Sequence, residues 1–255
     1  LAYDIKAHTT NKLKVPLAED GYIPRIFATS DADKIAVITL NRHQDQMDIY
    51  MANPRSTECQ LAVRDNVEKY IAEAAYNNIR FVPGGFFLCS ERDGYNHIYE
   101  YSLTGQMRRQ VTSGSCIVTD FHGIDTKTGD IFYSARDNDP TREYIYKLDK
   151  KGVVTCLTPE KGSHSATFSV GCRYFMHVYS NLNTPYITSL CDNRGKTLAT
   201  LIDNADVVSR LANEDLGTRE LFTFKTSEGV ELYGIMVKPK DFNPSKKYPV
   251  IMTQY

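Results

Sequence analysis

Ile98-Tyr99-Glu100-Tyr101 decides the fold, because it comes back. Ala2-Tyr3-Asp4-Ile5, Ile49-Tyr50-Met51-Ala52 and Ile145-Tyr146-Lys147-Leu148 repeat the same short strand, and the four tyrosines lie 47, 49 and 47 residues apart. Each anchor sits inside the same local order. An apolar strand precedes it (Lys34–Thr39, Phe86–Cys89 or Ile131–Ser134), joined by a polar turn such as Ser90-Glu91-Arg92-Asp93-Gly94 or Arg136-Asp137-Asn138-Asp139-Pro140. A Gly-bearing turn (Thr104-Gly105, Lys151-Gly152) then leads to an outer strand. Gly and Asp supply the backbone conformations that tight turns require. A looser fourth unit runs through Tyr174-Phe175-Met176, Tyr186 to Leu190 and Thr197 to Ile202, and its anchor follows Tyr146 by only 40 residues.

Repeats of this length built only from short strands are the signature of a β-propeller, in which one four-stranded blade needs neighbours to bury its faces. A plain β-sandwich could also centre tyrosines on strands, but nothing in it demands a constant period. The expected fold is therefore all-β, with about four blades of a longer ring, since the first unit is cut open at Leu1. The period stops after Ile202. Asp203 to Glu214 reads as a polar connector with a helical turn around Val207 to Leu211. A different sheet then begins: Glu220 to Phe224, the turn Ser227-Glu228-Gly229, Val230 to Pro239, and an apolar strand at Tyr248-Pro249-Val250-Ile251-Met252. We place a domain boundary at 217, giving a propeller segment over 1–217 and the start of a second domain over 218–255.

The 30 basic and 31 acidic side chains are interspersed, for a net charge of −1. Nucleic acid and anionic membrane both require a basic face, so neither is an expected partner. No run of 18 apolar residues offers a membrane span. The six cysteines are scattered singly, which argues against zinc ligation and leaves room for one disulfide; most are expected as small buried residues on strands. No metal-ligand spacing occurs and no cofactor is expected.

Acyl transfer by serine needs an activated nucleophile, usually on a Gly-x-Ser-x-Gly turn. None is present. Ser115 and Ser163 fall in expected blade turns, where Gly-Ser pairs are ordinary. His97 invites a catalytic reading, but a hydrogen bond that fixes its turn is the simpler role.

The stretches Glu220 to Gly234 and Lys238-Pro239-Lys240-Asp241-Phe242-Asn243-Pro244-Ser245-Lys246-Lys247-Tyr248-Pro249-Val250 resemble the entry into the catalytic domain of prolyl oligopeptidase-type serine peptidases. Ser90-Glu91-Arg92-Asp93-Gly94-Tyr95-Asn96-His97-Ile98-Tyr99 is similar to a blade turn of the dipeptidyl peptidase IV-like branch. Tyr22-Ile23-Pro24-Arg25-Ile26 and Leu40-Asn41-Arg42-His43-Gln44 look like its bacterial members. The resemblance implies an eight-bladed propeller capping an α/β-hydrolase domain, with peptides bearing Pro or Ala at the second position as substrates. It implies the rest of the same polypeptide, earlier blades and hydrolase domain, as this chain's main partner. A homodimer and a periplasmic, cell-envelope or secreted setting also follow from it.

By the same resemblance the Ser, Asp and His of the triad come after Tyr255. The Trp-preceded glutamate pair that grips the substrate's amino group belongs to an earlier blade. This chain has no Trp and no Glu-Glu pair, and Glu214-Asp215 lies too late to replace it. One catalytic residue is expected here: Tyr255, whose hydroxyl would stabilise the tetrahedral oxyanion. A phenol that is neutral at pH 7 can donate one short hydrogen bond to developing negative charge. The family's aromatic residue from the loop near Ala72 to Tyr76 cannot be assigned from the sequence. Two rival readings stay open: a prolyl tripeptidyl- or acylaminoacyl-type peptidase of the same clan, and a stand-alone propeller that binds a protein or glycan.

Overall fold

Four sheets of four antiparallel strands follow one another along the chain, each with its strands in sequence order. The computed structural model describes residues 1–137, 139–214 and 216–254. A two-stranded pair comes first, β1 (Ala2–Asp4) and β2 (Thr9–Asn11). Blade 1 contains β3 (Tyr22–Ala28), β4 (Ile35–Leu40), β5 (Gln46–Ala52) and β6 (Cys59–Asn66). After a one-turn helix α1 (Glu73–Asn77), blade 2 contains β7 (Arg80–Val82), β8 (Gly85–Ser90), β9 (His97–Ser102) and β10 (Met107–Gln110). Blade 3 is β11 (Ile117–Ile124), β12 (Ile131–Arg136), β13 (Tyr144–Leu148) and β14 (Val154–Cys156). Blade 4 is β15 (Ser163–Phe168), β16 (Tyr174–Asn181), β17 (Thr184–Asp192) and β18 (Thr197–Ile202).

Tyr50, Tyr99, Tyr146 and Tyr186 all lie on the third strand of their blade, which is why their spacing is regular. Tyr3 lies on β1, whose partner follows it as a fourth strand follows a third. The short last interval has a local cause. β16 and β17 are joined across Asn181–Thr184 by a tight hairpin, where blades 2 and 3 spend longer turns.

Alternation along each strand divides its side chains between two neighbours. Phe86 and Leu88 of β8 pack with Ile38, Met47 and Ile49 of blade 1. Phe87 and Cys89 of the same strand turn to Phe121, Ile131 and Tyr133 of blade 3. Phe132, between two residues that face blade 2, joins Phe175 and Cys191 of blade 4. Each fully buried Phe or Ile contributes about 1.5–3 kcal/mol of transfer free energy, so the seams carry most of the stability. The far face of blade 4 leaves Tyr174, Tyr186 and Leu198 exposed.

The outer turns set how closely blades approach. Gly105 (φ +84°) lies so near blade 1 that a Cβ there would sit 1.8 Å from the Ala62 carbonyl oxygen. Gly195 (φ +82°) meets the Leu157 carbonyl of blade 3 in the same way, at 2.6 Å. Gly152 (φ +86°), in the equivalent turn of blade 3, faces open space. There the edge between blades 2 and 3 opens into a groove of about 600 Å³.

Helix α2 (Ala205–Leu211) and the hairpin β19 (Thr218–Lys225)–β20 (Glu231–Lys238) follow the blades. The helix extends the expected helical turn by two residues at its start. The apolar run 248–252 is not a strand: it has no ladder partner among the described residues, and Val250, Ile251 and Met252 are exposed. Ser163 opens β15 instead of lying in a turn. All six cysteines are free; Cys89, Cys172 and Cys191 are buried, whereas Cys59, Cys116 and Cys156 are half-buried. No helix among the described residues is long and apolar enough to cross a membrane.

Candidate functional site

The turn after β8, whose sequence is similar to a blade turn of the dipeptidyl peptidase IV-like branch, is a latch between blades. Asp65 near the end of β6 is buried, and its Oδ1 accepts from Arg92 Nη2 and from Ser90 Oγ, both at 3.0 Å. Arg92 Nε also donates to Ser90 Oγ at 3.0 Å, and its guanidinium lies over the Tyr99 ring at 4.6 Å. A second arm of Arg92 reaches the Tyr101 hydroxyl. One side chain thus satisfies a buried carboxylate and two hydroxyls and lies over the Tyr99 and Tyr101 rings, the use to which a planar five-donor group is suited. Burial pushes the Tyr99 phenol up to about 12, so it stays a neutral hydroxyl. Beside the latch, Asp65, Ser90, Asn96 and Ile71 line a cavity of about 30 Å³, enough for a water but not for a peptide.

His97 is fully buried and engaged at both nitrogens. Its Nε2 lies 3.0 Å from the Gly114 carbonyl, which can only accept, so Nε2 carries the proton. Nδ1 then accepts from the Thr112 hydroxyl at 3.1 Å, while that hydroxyl accepts from the Ile98 N–H at 3.0 Å. The arrangement fixes the turn and leaves no free base.

A Ser-His-Asp array does occur, where spacing gave no warning. His122 Nε2 lies 2.8 Å from Ser134 Oγ, and its Nδ1 lies 3.4 Å from Asp120 Oδ2. Asp120 stands opposite Ser134 in the β11–β12 register, and His122 shares its face of β11 two residues on. Period-two reading of two adjacent strands was the only signal that could have found it. Ser134 is 1% exposed, so no acyl group can reach it and the array is structural. Ser115 has no histidine partner among the described residues. Ser163 is followed by His164, whose ring nitrogens are both occupied.

In the groove between blades 2 and 3, Tyr133 and Tyr146 stack at 5.5 Å, and the Tyr146 hydroxyl donates to Asp137. Burial raises both phenols further above their usual range. Near the unassigned loop, Tyr76 is half-buried on α1 and Tyr70 is exposed. Among the described residues no group of three or more His, Cys, Asp or Glu side chains could hold a metal ion. Tyr255, the expected oxyanion donor, lies outside the described residues.

The family model for the dipeptidyl peptidase IV (DPP IV) N-terminal region matches residues 2–186, from β1 into the third strand of blade 4. The chain belongs to that family. Among solved structures it is similar to dipeptidyl peptidase 4 of Porphyromonas gingivalis, with TM-score 0.92 and 36% identity, covering 97% of this chain and 35% of that one. A putative dipeptidyl aminopeptidase IV of Bacteroides ovatus shares the fold, at TM-score 0.80 and 23% identity, over 97% of this chain and 38% of that one. Among curated relatives, dipeptidyl peptidase 4 of Arthroderma otae is 29% identical over 237 residues, 89% of this chain and 30% of the relative. The chain therefore spans about a third of the length of the proteins it matches.

Proposed function

We propose that residues 1–217 are the later propeller blades, and 218–255 the first hydrolase strands, of a serine exopeptidase that releases N-terminal Xaa-Pro or Xaa-Ala dipeptides. The observation that carries this is the likeness to the Porphyromonas gingivalis enzyme over 97% of the chain, which leaves too few residues unmatched to omit the segment after blade 4. A stand-alone binding propeller has no use for the β19–β20 hairpin. In this reading the blades wall the substrate cavity, and chemistry is supplied by the remainder of the polypeptide. No cofactor or metal takes part. A homodimer in the periplasm, on the cell envelope or outside the cell fits the reading.

The direct test compares the protein from its full reading frame with residues 1–255, using a chromogenic Gly-Pro amide and a fluorophosphonate probe. The full protein should turn over and label, and residues 1–255 should do neither. Labelling of 1–255 that is lost on mutating one of its own serines would overturn the proposal. Tyr255 serves as the oxyanion donor in this reading, so Tyr255→Phe in the full protein should lower kcat by about 10²–10³ with KM nearly unchanged. Unchanged kcat in a normally folded variant removes Tyr255 from the mechanism.

A further inference from the structure

The seam between blades 3 and 4 holds three histidines, placed at the two ends of one strand. At the end of β15, Phe168 stacks on His122 of blade 3 with centroids 5.0 Å apart. At its start, His164 lies against Tyr144 of blade 3 at 5.6 Å, beside the backbone bridge Glu143–Ser163. Between them Ala166 packs with Phe132 and Phe175. His164 Nδ1 lies 2.9 Å from His177 Nε2, and His164 Nε2 lies 2.7 Å from the Glu160 carbonyl oxygen. The carbonyl can only accept, so we assign the His164 proton to Nε2. In the neutral pair His177 Nε2–H therefore donates to His164 Nδ1. A first added proton can sit on His177 Nδ1 and leave this bond in place; a second, at His164 Nδ1, would set two donors face to face and break the pair.

We infer that blade 4 is held to blade 3 by a proton-sensitive clasp, His122 with Phe168 at one end of β15 and Tyr144 with His164, itself paired to His177, at the other, which loosens on acidification while the seam between blades 1 and 2 stays closed.

The charged and titratable groups around the clasp oppose the effect without cancelling it. Burial holds His122 below its ordinary range, Arg80 pushes the same way, and Asp120 opposes them. Burial lowers His164, against the Glu160 carbonyl and the Glu160 and Glu143 carboxylates. Glu143 is itself engaged with Arg136 at 3.5 Å. His177 is lowered to about 4 by burial and by His164, with Glu160 opposing. The rings of Tyr144 and Tyr179 complete the surroundings. A base whose closed-state value is depressed stays unprotonated in the closed seam, while the opened seam titrates near its ordinary 6.5. Above that pH both states are neutral and nothing changes. Below it the opened state alone takes up protons, so opening grows by up to tenfold per pH unit for each proton taken up.

The test is hydrogen exchange on the protein from its full reading frame at pH 7.5, 6.5 and 5.5, corrected for intrinsic rates. The inference expects β15 and β16 to lose protection between pH 6.5 and 5.5 relative to β4 and β5, by about fivefold for one proton. His177→Gln keeps a donor toward His164 and removes one titration, so it should flatten that slope. His122→Gln with His164→Gln and His177→Gln should abolish it. Protection of β15 that tracks β4 down to pH 5.5 overturns the inference. So does an acid-dependent loss that is unchanged in His177→Gln, a variant expected to fold even where the triple variant does not.

Discussion

The seam between blades 1 and 2 and the seam between blades 3 and 4 solve one packing problem with different chemistry. Among the described residues, thirteen buried apolar side chains gather in the first cluster and six in the second. The first adds a buried ion pair, Asp65 with Arg92, that crosses from one blade to the next. The second adds imidazoles, among them the His164–His177 pair, whose hydrogen bond needs one unprotonated ring nitrogen. Geometry alone makes a blade array, because any apolar face will bury itself against its neighbour. What differs from seam to seam is the condition under which the contact holds: the first needs a charged carboxylate beside Arg92, the second needs uncharged imidazoles.

The largest effects should come from the cores. Phe86 is fully buried, with Phe81 at 5.2 Å and Tyr101 at 5.5 Å. Phe86→Ala should cost about 3–5 kcal/mol, read as a fall in urea midpoint at constant m. Phe175→Ala should fall at the lower end of that range, because the smaller cluster leaves a smaller apolar cavity. A larger cost for Phe175 would break the contrast between the seams. Next comes the latch. Arg92→Ala leaves Asp65 buried with only a hydroxyl for company, and loss of one partner of a buried pair costs about 3–5 kcal/mol. The double change Asp65→Leu with Arg92→Met removes both charges together and should recover most of that loss. No recovery would mean that the latch acts through its packing on Tyr99 and Tyr101.

The recurrence of Tyr50, Tyr99 and Tyr146 exposed the blades because a third strand packed on both faces, with Tyr50 and Tyr99 buried and Tyr146 half-buried, tolerates few residue types, so its pattern survives repetition. The seams were not legible. Asp65 and Arg92 are 27 residues apart, and nothing local marks them as partners. Asp120, His122 and Ser134 become neighbours only through the β11–β12 register, which a one-residue slip would undo. The run Tyr248 to Met252 misled for the opposite reason. Its apolar pattern is a strand pattern, but a strand exists only when a ladder partner is present, and composition cannot show one.

The smallest effects test how tightly the blades close at their outer turns. Gly105 and Gly152 occupy equivalent turns with nearly equal φ, +84° and +86°, so a Cβ in the left-handed region costs each about 1–2 kcal/mol. Only Gly105 faces another blade, and an added methyl there must displace the backbone of Ala62. Forcing volume into a packed seam adds roughly 1–3 kcal/mol. Gly152→Ala should therefore lower stability by about 1 kcal/mol, with the groove between blades 2 and 3 absorbing the methyl group. Gly105→Ala should lose more by that seam term, and Gly195→Ala should lie between them, since Leu157 leaves it more room. Parallel urea titrations of the three variants give the ranking directly. Equal losses would mean that the outer turns move independently of the blades they touch, and that the closeness of blades 1 and 2 at Gly105 adds nothing to their cohesion.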